Sequence, residues 1–138
     1  MQPHRLLACC YGVALLGVTV LGWIPGVTDS SGRIFGIFRL AWYNDALHLT
    51  SAAWAFAAAA TSRPASIFFL RAFGFLYLTD GALGLASGSG YLDLGIVICG
   101  VQDLPFTFKL FANLPHIGLG GIAVTAGFWR GMRMKRTA

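Results

Sequence analysis

Glutamate is absent from this 138-residue chain, and five aspartates, at positions 29, 45, 80, 93 and 103, carry all of its acidity. Charged residues make up 11% of the chain and hydrophobic ones 57%. A soluble domain carries about 25% charged residues, so the deficit excludes that class and implies a compact membrane protein. Cys9, Cys10 and Cys99 form no disulfide framework, and none stands at metal-site spacing from a histidine. No nucleophile–base pair, phosphate loop or zinc motif is present. No catalytic residue and no metal ligand is therefore assigned, and the chain is not expected to be an enzyme. The net charge of +5 does not mark a nucleic-acid binder. Arg130, Arg133, Lys135 and Arg136 crowd the end of the chain directly after an apolar run, as a cytoplasmic membrane flank does. The tetrapeptide Leu6-Leu7-Ala8-Cys9 lacks the apolar stretch that precedes a lipoprotein cysteine, so the first apolar stretch reads as a retained span.

What is present is a series of apolar stretches. Spans are expected at about 6–24, 46–61, 67–86 and 114–129, folding as an all-α, four-helix up-down bundle in a single domain of residues 1–138. Pro25-Gly26 ends the first span, and Ser62-Arg63-Pro64 turns between the second and third. An aromatic-rich interfacial loop precedes the second span, with Trp42 and Tyr43 in the aromatic belt. Ser87-Gly-Ser-Gly90 closes the third span. Residues 91–109 carry an apolar patch, 94–101, too short to cross, which reads as a re-entrant or interfacial segment. Arg5, Arg63, Arg71 and the four basic residues of the tail outnumber Arg33, Arg39 and Lys109 on the other side, which puts both termini in the cytoplasm.

Two histidines sit in a near-repeat, Asp45-Ala-Leu-His48 and Asn113-Leu-Pro-His116. Asp45 and Asn113 are expected as N-caps, which places each imidazole at the third helical position. The positive end of the helix dipole disfavours imidazolium there, so both rings are expected to be neutral. Phe38-Arg39-Leu40 matches Phe108-Lys109-Leu110, and Arg5 with Tyr11 matches Arg71 with Tyr77. These matches suggest two pseudo-repeated hairpins about an axis along the membrane normal. Histidines at matched depth on diagonal helices could clamp a haem b, or one of them could hold a chlorophyll. The alternative is local: each ring finishes its own helix end, in the manner of a capping box.

The strings Leu21-Gly-Trp-Ile-Pro-Gly-Val-Thr28, Ile34-Phe-Gly-Ile-Phe38 and Asn44-Asp-Ala-Leu-His48 resemble the small bacterial membrane proteins catalogued as domain of unknown function 4383. The stretch Asn113-Leu-Pro-His116-Ile-Gly-Leu-Gly120 is similar to that family's second half. The resemblance extends from about Arg5 to Trp129 and implies four spans in a bacterial inner membrane. It implies no activity. The chain departs from the family pattern at Ala46, which intervenes where an asparagine often directly precedes the leucine-histidine pair, and in a more apolar third loop.

Asp80, deep in the third span, is the most expensive residue, since an unpaired carboxylate there costs on the order of 3 kcal/mol. Arg71 is half a turn out of phase with it on the same helix, which leaves a histidine, Thr79, Thr125 or another subunit as the expected partner. The role is either a proton-binding group or a buried acid hydrogen-bonded across helices. Gly84, Gly88, Ala123 and Gly127, together with Ser51, Ala55 and Ala59, are expected at close helix contacts. Phe68, Phe69, Phe73, Phe75 and Tyr77 suit lipid by default. From small size, small-residue faces and the missing catalytic motifs, the leading expectation is an accessory or structural subunit that docks on a larger membrane complex or on itself. The alternative is a haem- or chlorophyll-binding protein using His48 and His116. A small redox enzyme or solute carrier is a weaker third reading.

Overall fold

The computed structural model describes residues 2–27, 29–30, 34 and 42–129. The Phe38-Arg39-Leu40 half of the repeat and the basic tail from Arg130 lie outside the described residues. Among the described residues, five helices follow in chain order: α1 (Pro3–Trp23), α2 (Trp42–Thr61), α3 (Arg63–Ser87), the short α4 (Gly95–Cys99) and α5 (Phe106–Phe128). α1, α3 and α5 are long and apolar enough to cross a membrane, which makes this a membrane protein. α2 is as long but rich in alanine, and it does not reach the same hydropathy.

Local chemistry sets the helix ends. Pro3 opens α1, where a missing N–H costs nothing. Ser62 caps α3 by accepting from the Ala65 amide at 3.2 Å, with Pro64 in the first turn. Gly88 ends α3 in the left-handed region at φ 79°. Gly88 is thus a helix terminator rather than the packing residue expected from its spacing.

Two helix starts differ from expectation, and both corrections bear on the site. α2 already runs at Trp42, so Asp45 lies inside its first turn rather than capping it, and Trp42 and Tyr43 are helical. α5 begins at Phe106, immediately after Pro105. Asn113 therefore stands in mid-helix, and its Nδ2 donates back to the Lys109 carbonyl at 2.8 Å. Neither histidine occupies a third helical position, so the dipole argument for their charge does not apply. The segment 91–109 is likewise divided: its first part is loop around the five-residue α4, and its last residues belong to α5.

α3 is the central element, packed most extensively on α5 and also touching α1 and α2, while α1 packs on α2. Its aromatic residues at spacing four form the core. Phe69 and Phe73 stack at 5.1 Å, Phe73 and Tyr77 at 4.0 Å, and Tyr11 of α1 meets Phe73 edge-on at 5.2 Å. Small residues on α2 (Ala52, Ala55, Ala58 and Ala59) leave room for this ladder. Only Phe68 and Phe75 face outward as expected of lipid-facing residues; Phe69, Phe73 and Tyr77 are buried.

The α3–α5 contact is closer still. A Cβ on Gly74 would lie 2.6 Å from the Val124 nitrogen, and one on Gly120 would lie 2.6 Å from the Leu78 nitrogen. Gly84 lies against the Asn113 side chain, Gly127 against Arg71, and Ala123 is fully buried. These are the small-residue contacts that let membrane helices approach. The outward surfaces stay apolar, with Val13, Leu6 and Trp23 exposed on α1 and Ile122, Leu114 and Phe111 on α5. Lipid contact suits such faces.

Two arginines make equivalent contacts at the end of the bundle that holds the chain's first residues. Arg5 donates to the Ala59 and Ala60 carbonyls at 2.7 and 2.9 Å. Arg71 donates to the Gly127 carbonyl at 2.8 Å, with its guanidinium 4.3 Å from the Phe128 ring centre. Each satisfies carbonyls that a helix C-terminus leaves open.

Candidate functional site

Asp80 sits in the second half of α3, 1% exposed, and its carboxylate gathers three donors. Oδ1 accepts from the backbone amides of Tyr91 at 2.6 Å and Leu92 at 2.8 Å, at the start of the loop that follows α3. Oδ2 lies 2.7 Å from Nδ1 of His116 on α5. The expected histidine partner is therefore present. Thr79 instead bonds backbone carbonyls of its own helix and the Tyr91 hydroxyl, and Thr125 bonds the Gly121 carbonyl.

Gly90 makes this geometry possible. A Cβ there would fall 2.7 Å from Oδ1 of Asp80, so a side chain would displace the carboxylate from the loop amides. Sequence reading treats Ser87-Gly-Ser-Gly90 only as a helix terminator and misses this. The signal available was its position, a glycine in the loop closing the helix that carries the buried acid.

His116 and His48 line the same cavity, of about 480 Å³. Tyr77 and Asp80 of α3, Asn113 of α5 and Asp93 of the loop line it too. The cavity lies where α1 ends and α2 begins, and residues of the α4 loop cover part of it, Gly95 and Cys99 among them. Asp93 is held there by accepting from the Asn44 side chain and, at 2.8 Å, from the Gly95 amide.

The two imidazoles differ. His116 has Asp80 behind it and packs at 5.0 Å from the Tyr77 ring. His48 is 8% exposed, and its Nδ1 has no hydrogen-bond partner among the described residues. Buried polar atoms are ordinarily satisfied, which makes this nitrogen an exception in the bundle. His4 carries another such nitrogen, 1% exposed at the opposite end of the bundle and away from the cavity. Sequence reading singles out neither His4 nor the loop amides that bind Asp80.

A second set of contacts ties the halves together. The Tyr11 hydroxyl of α1 donates to the Leu119 carbonyl of α5 at 2.6 Å, and the Tyr77 hydroxyl of α3 donates to the Ser51 hydroxyl of α2 at 3.3 Å. Ser51 stands three residues after His48, as Leu119 stands three after His116.

The chain matches the family described as domain of unknown function 4383 over residues 5–129. It belongs to that family. The match spans both hairpins, α1–α2 and α3–α5, so the family unit includes both histidines, Asp80 and the α4 loop. No match is found among curated proteins or among solved structures.

Proposed function

We propose that the protein holds a lipid-soluble small molecule in the cavity between its four long helices. The observation that carries the reading is the convergence of His48, Tyr77, Asp80 and His116, from three helices, on one mostly apolar cavity of about 480 Å³. Concave, largely apolar sites with a few convergent polar groups are where small ligands bind.

The test is to purify the protein from native membranes in mild detergent and identify extracted small molecules by mass spectrometry. Ala112 lines the cavity, and Ala112→Trp fills it. A molecule enriched over bulk lipid in the natural protein and lost from Ala112→Trp is the expected result. Equal extracts from the two proteins would sink the reading.

Haem b, bound through His48 and His116, is the second reading, favoured by the carboxylate behind His116. A carboxylate on one ring nitrogen orients an imidazole whose other nitrogen ligates a metal. Haem would supply electron transfer or gas binding at its iron, with Nε2 of His116 as the natural ligand atom. A visible spectrum with and without dithionite decides it. A Soret band that shifts on reduction and disappears in His116→Ala would establish haem, and a colourless preparation would exclude it.

The docking role expected of an accessory subunit has only the outward faces of α1 and α5 behind it, and lipid covers such faces equally well. We also read the bundle as four spans in a bacterial inner membrane, built from two related hairpins with both termini inside. The paired arginine and tyrosine contacts support the relation between hairpins. Arg5 precedes Tyr11 by six residues, as Arg71 precedes Tyr77, and Ala59 follows His48 by eleven, as Gly127 follows His116.

A further inference from the structure

We infer that the cavity selects ligands that carry a hydrogen-bond donor, lipophilic phenols or quinols being the fitting class, and that Asp80 sets this preference by fixing the tautomer of His116. The inference rests on the ligand-binding reading above.

Both oxygens of Asp80 have assigned work. Its Oδ1 is committed to two backbone amides, which are donors and nothing else. Its Oδ2 faces Nδ1 of His116 at 2.7 Å, so an ionised carboxylate there accepts a proton-bearing Nδ1. In a neutral imidazole a proton on Nδ1 leaves Nε2 as an acceptor. The ring geometry turns Nε2 away from Asp80, and among the described residues Nε2 has no protein partner. A ligand hydroxyl seated in the cavity can donate to it. The apolar lining from α1, with Leu15, Val18 and Leu21, suits the hydrocarbon remainder of such a molecule. Tyr77, whose ring centre lies 5.0 Å from that of His116, adds an aromatic surface to the same cavity.

Asp80 is thus a positioning residue, and its amide variant makes a specific reversal. In Asp80→Asn the side-chain oxygen must stay on the Tyr91 and Leu92 amides, because only an acceptor satisfies them. The amide nitrogen then stands opposite Nδ1 of His116 and donates to it. Nδ1 becomes the acceptor, the ring proton moves to Nε2, and the cavity presents a donor.

The probes are 4-octylphenol, its methyl ether 4-octylanisole, and 4-octylacetophenone, which offers an acceptor only. They are titrated calorimetrically into protein in phosphatidylcholine nanodiscs, with empty nanodiscs subtracted. One hydrogen bond of ordinary strength predicts about tenfold tighter binding of the phenol than of the ether or ketone. In Asp80→Asn the ketone should overtake the phenol. Equal binding of phenol and ether, or a phenol preference that survives in Asp80→Asn, would overturn the inference. If all three bind alike and Ala112→Trp abolishes them, the donor preference falls while the ligand cavity stands. Nitrogen-15 spectra of His116 in the natural protein provide a readout that does not depend on the variant folding. A proton on Nδ1 with a bare Nε2 is expected, and a protonated Nε2 would overturn the inference.

Discussion

Asp80 joins three parts of the molecule that are separate in sequence: the end of α3, the loop at Tyr91 and Leu92, and the middle of α5. Removing its side chain leaves two amides and an imidazole without their acceptor, at about 1–3 kcal/mol for each buried group left unsatisfied. Asp80→Ala should therefore lower the thermal midpoint strongly, and hydrogen exchange should accelerate at the Tyr91 and Leu92 amides. Asp80→Asn should keep those amides protected. Slow exchange in Asp80→Ala would show that something else holds the loop. Gly90→Ala tests the same junction from the other side. The new methyl group meets the carboxylate, so the variant should resemble Asp80→Ala in exchange at Tyr91 while leaving Asp80 itself in place. The importance of Asp80 was legible from sequence alone, since a carboxylate inside an apolar span has to be paired. Its backbone partners were not legible, because amide donors carry no residue-type signature.

At the scale of the helices, the legible part was the periodic apolar run and the unreadable part was where each run begins. Asn113 and Asp45 resemble caps because their side chains compete for free amides, but that competition matters only where the preceding chain is not helical. Pro105 starts α5 well before Asn113, through a stretch containing Thr107 and Lys109 that hydropathy alone places outside the span. The α3–α5 contact offers a sharper test of helix packing. Gly74→Val pushes side-chain atoms into the Val124 backbone and should destabilise the protein by about 1–3 kcal/mol in denaturant titration. Gly118 and Gly121, where an added methyl group would meet nothing within 4 Å, should accept alanine with no loss and a gain of up to about 1 kcal/mol. Equal responses at Gly74 and Gly118 would show that α3 and α5 do not meet closely. The relation between the hairpins has a test of its own. Ala14 stands nine residues after Arg5, as Asp80 stands nine after Arg71, and Ala14 lines the cavity. Ala14→Asp should provide His48 with the carboxylate that its counterpart already has, seen as a change in the His48 nitrogen-15 shifts.

For the whole molecule, orientation in the membrane fixes which compartment the α4 loop meets. Cys99 is exposed in that loop, at the end of the bundle away from Pro3. With both termini inside, a membrane-impermeant maleimide should label Cys99 in intact spheroplasts. A cysteine introduced at Gln2 should react only after permeabilisation, and the reverse pattern would invert the topology.

The two tyrosine hydroxyls have a mechanical consequence. Tyr11 reaches from the first hairpin to the second, and Tyr77 reaches from the second to the first, so they act as crossed tie-rods. Prising the hairpins apart sideways loads both rods together, whereas lifting the α4 loop loads neither. The hairpins are thereby braced against sideways separation, while the loop after α3 is fastened separately, by the Asp80 carboxylate on the Tyr91 and Leu92 amides.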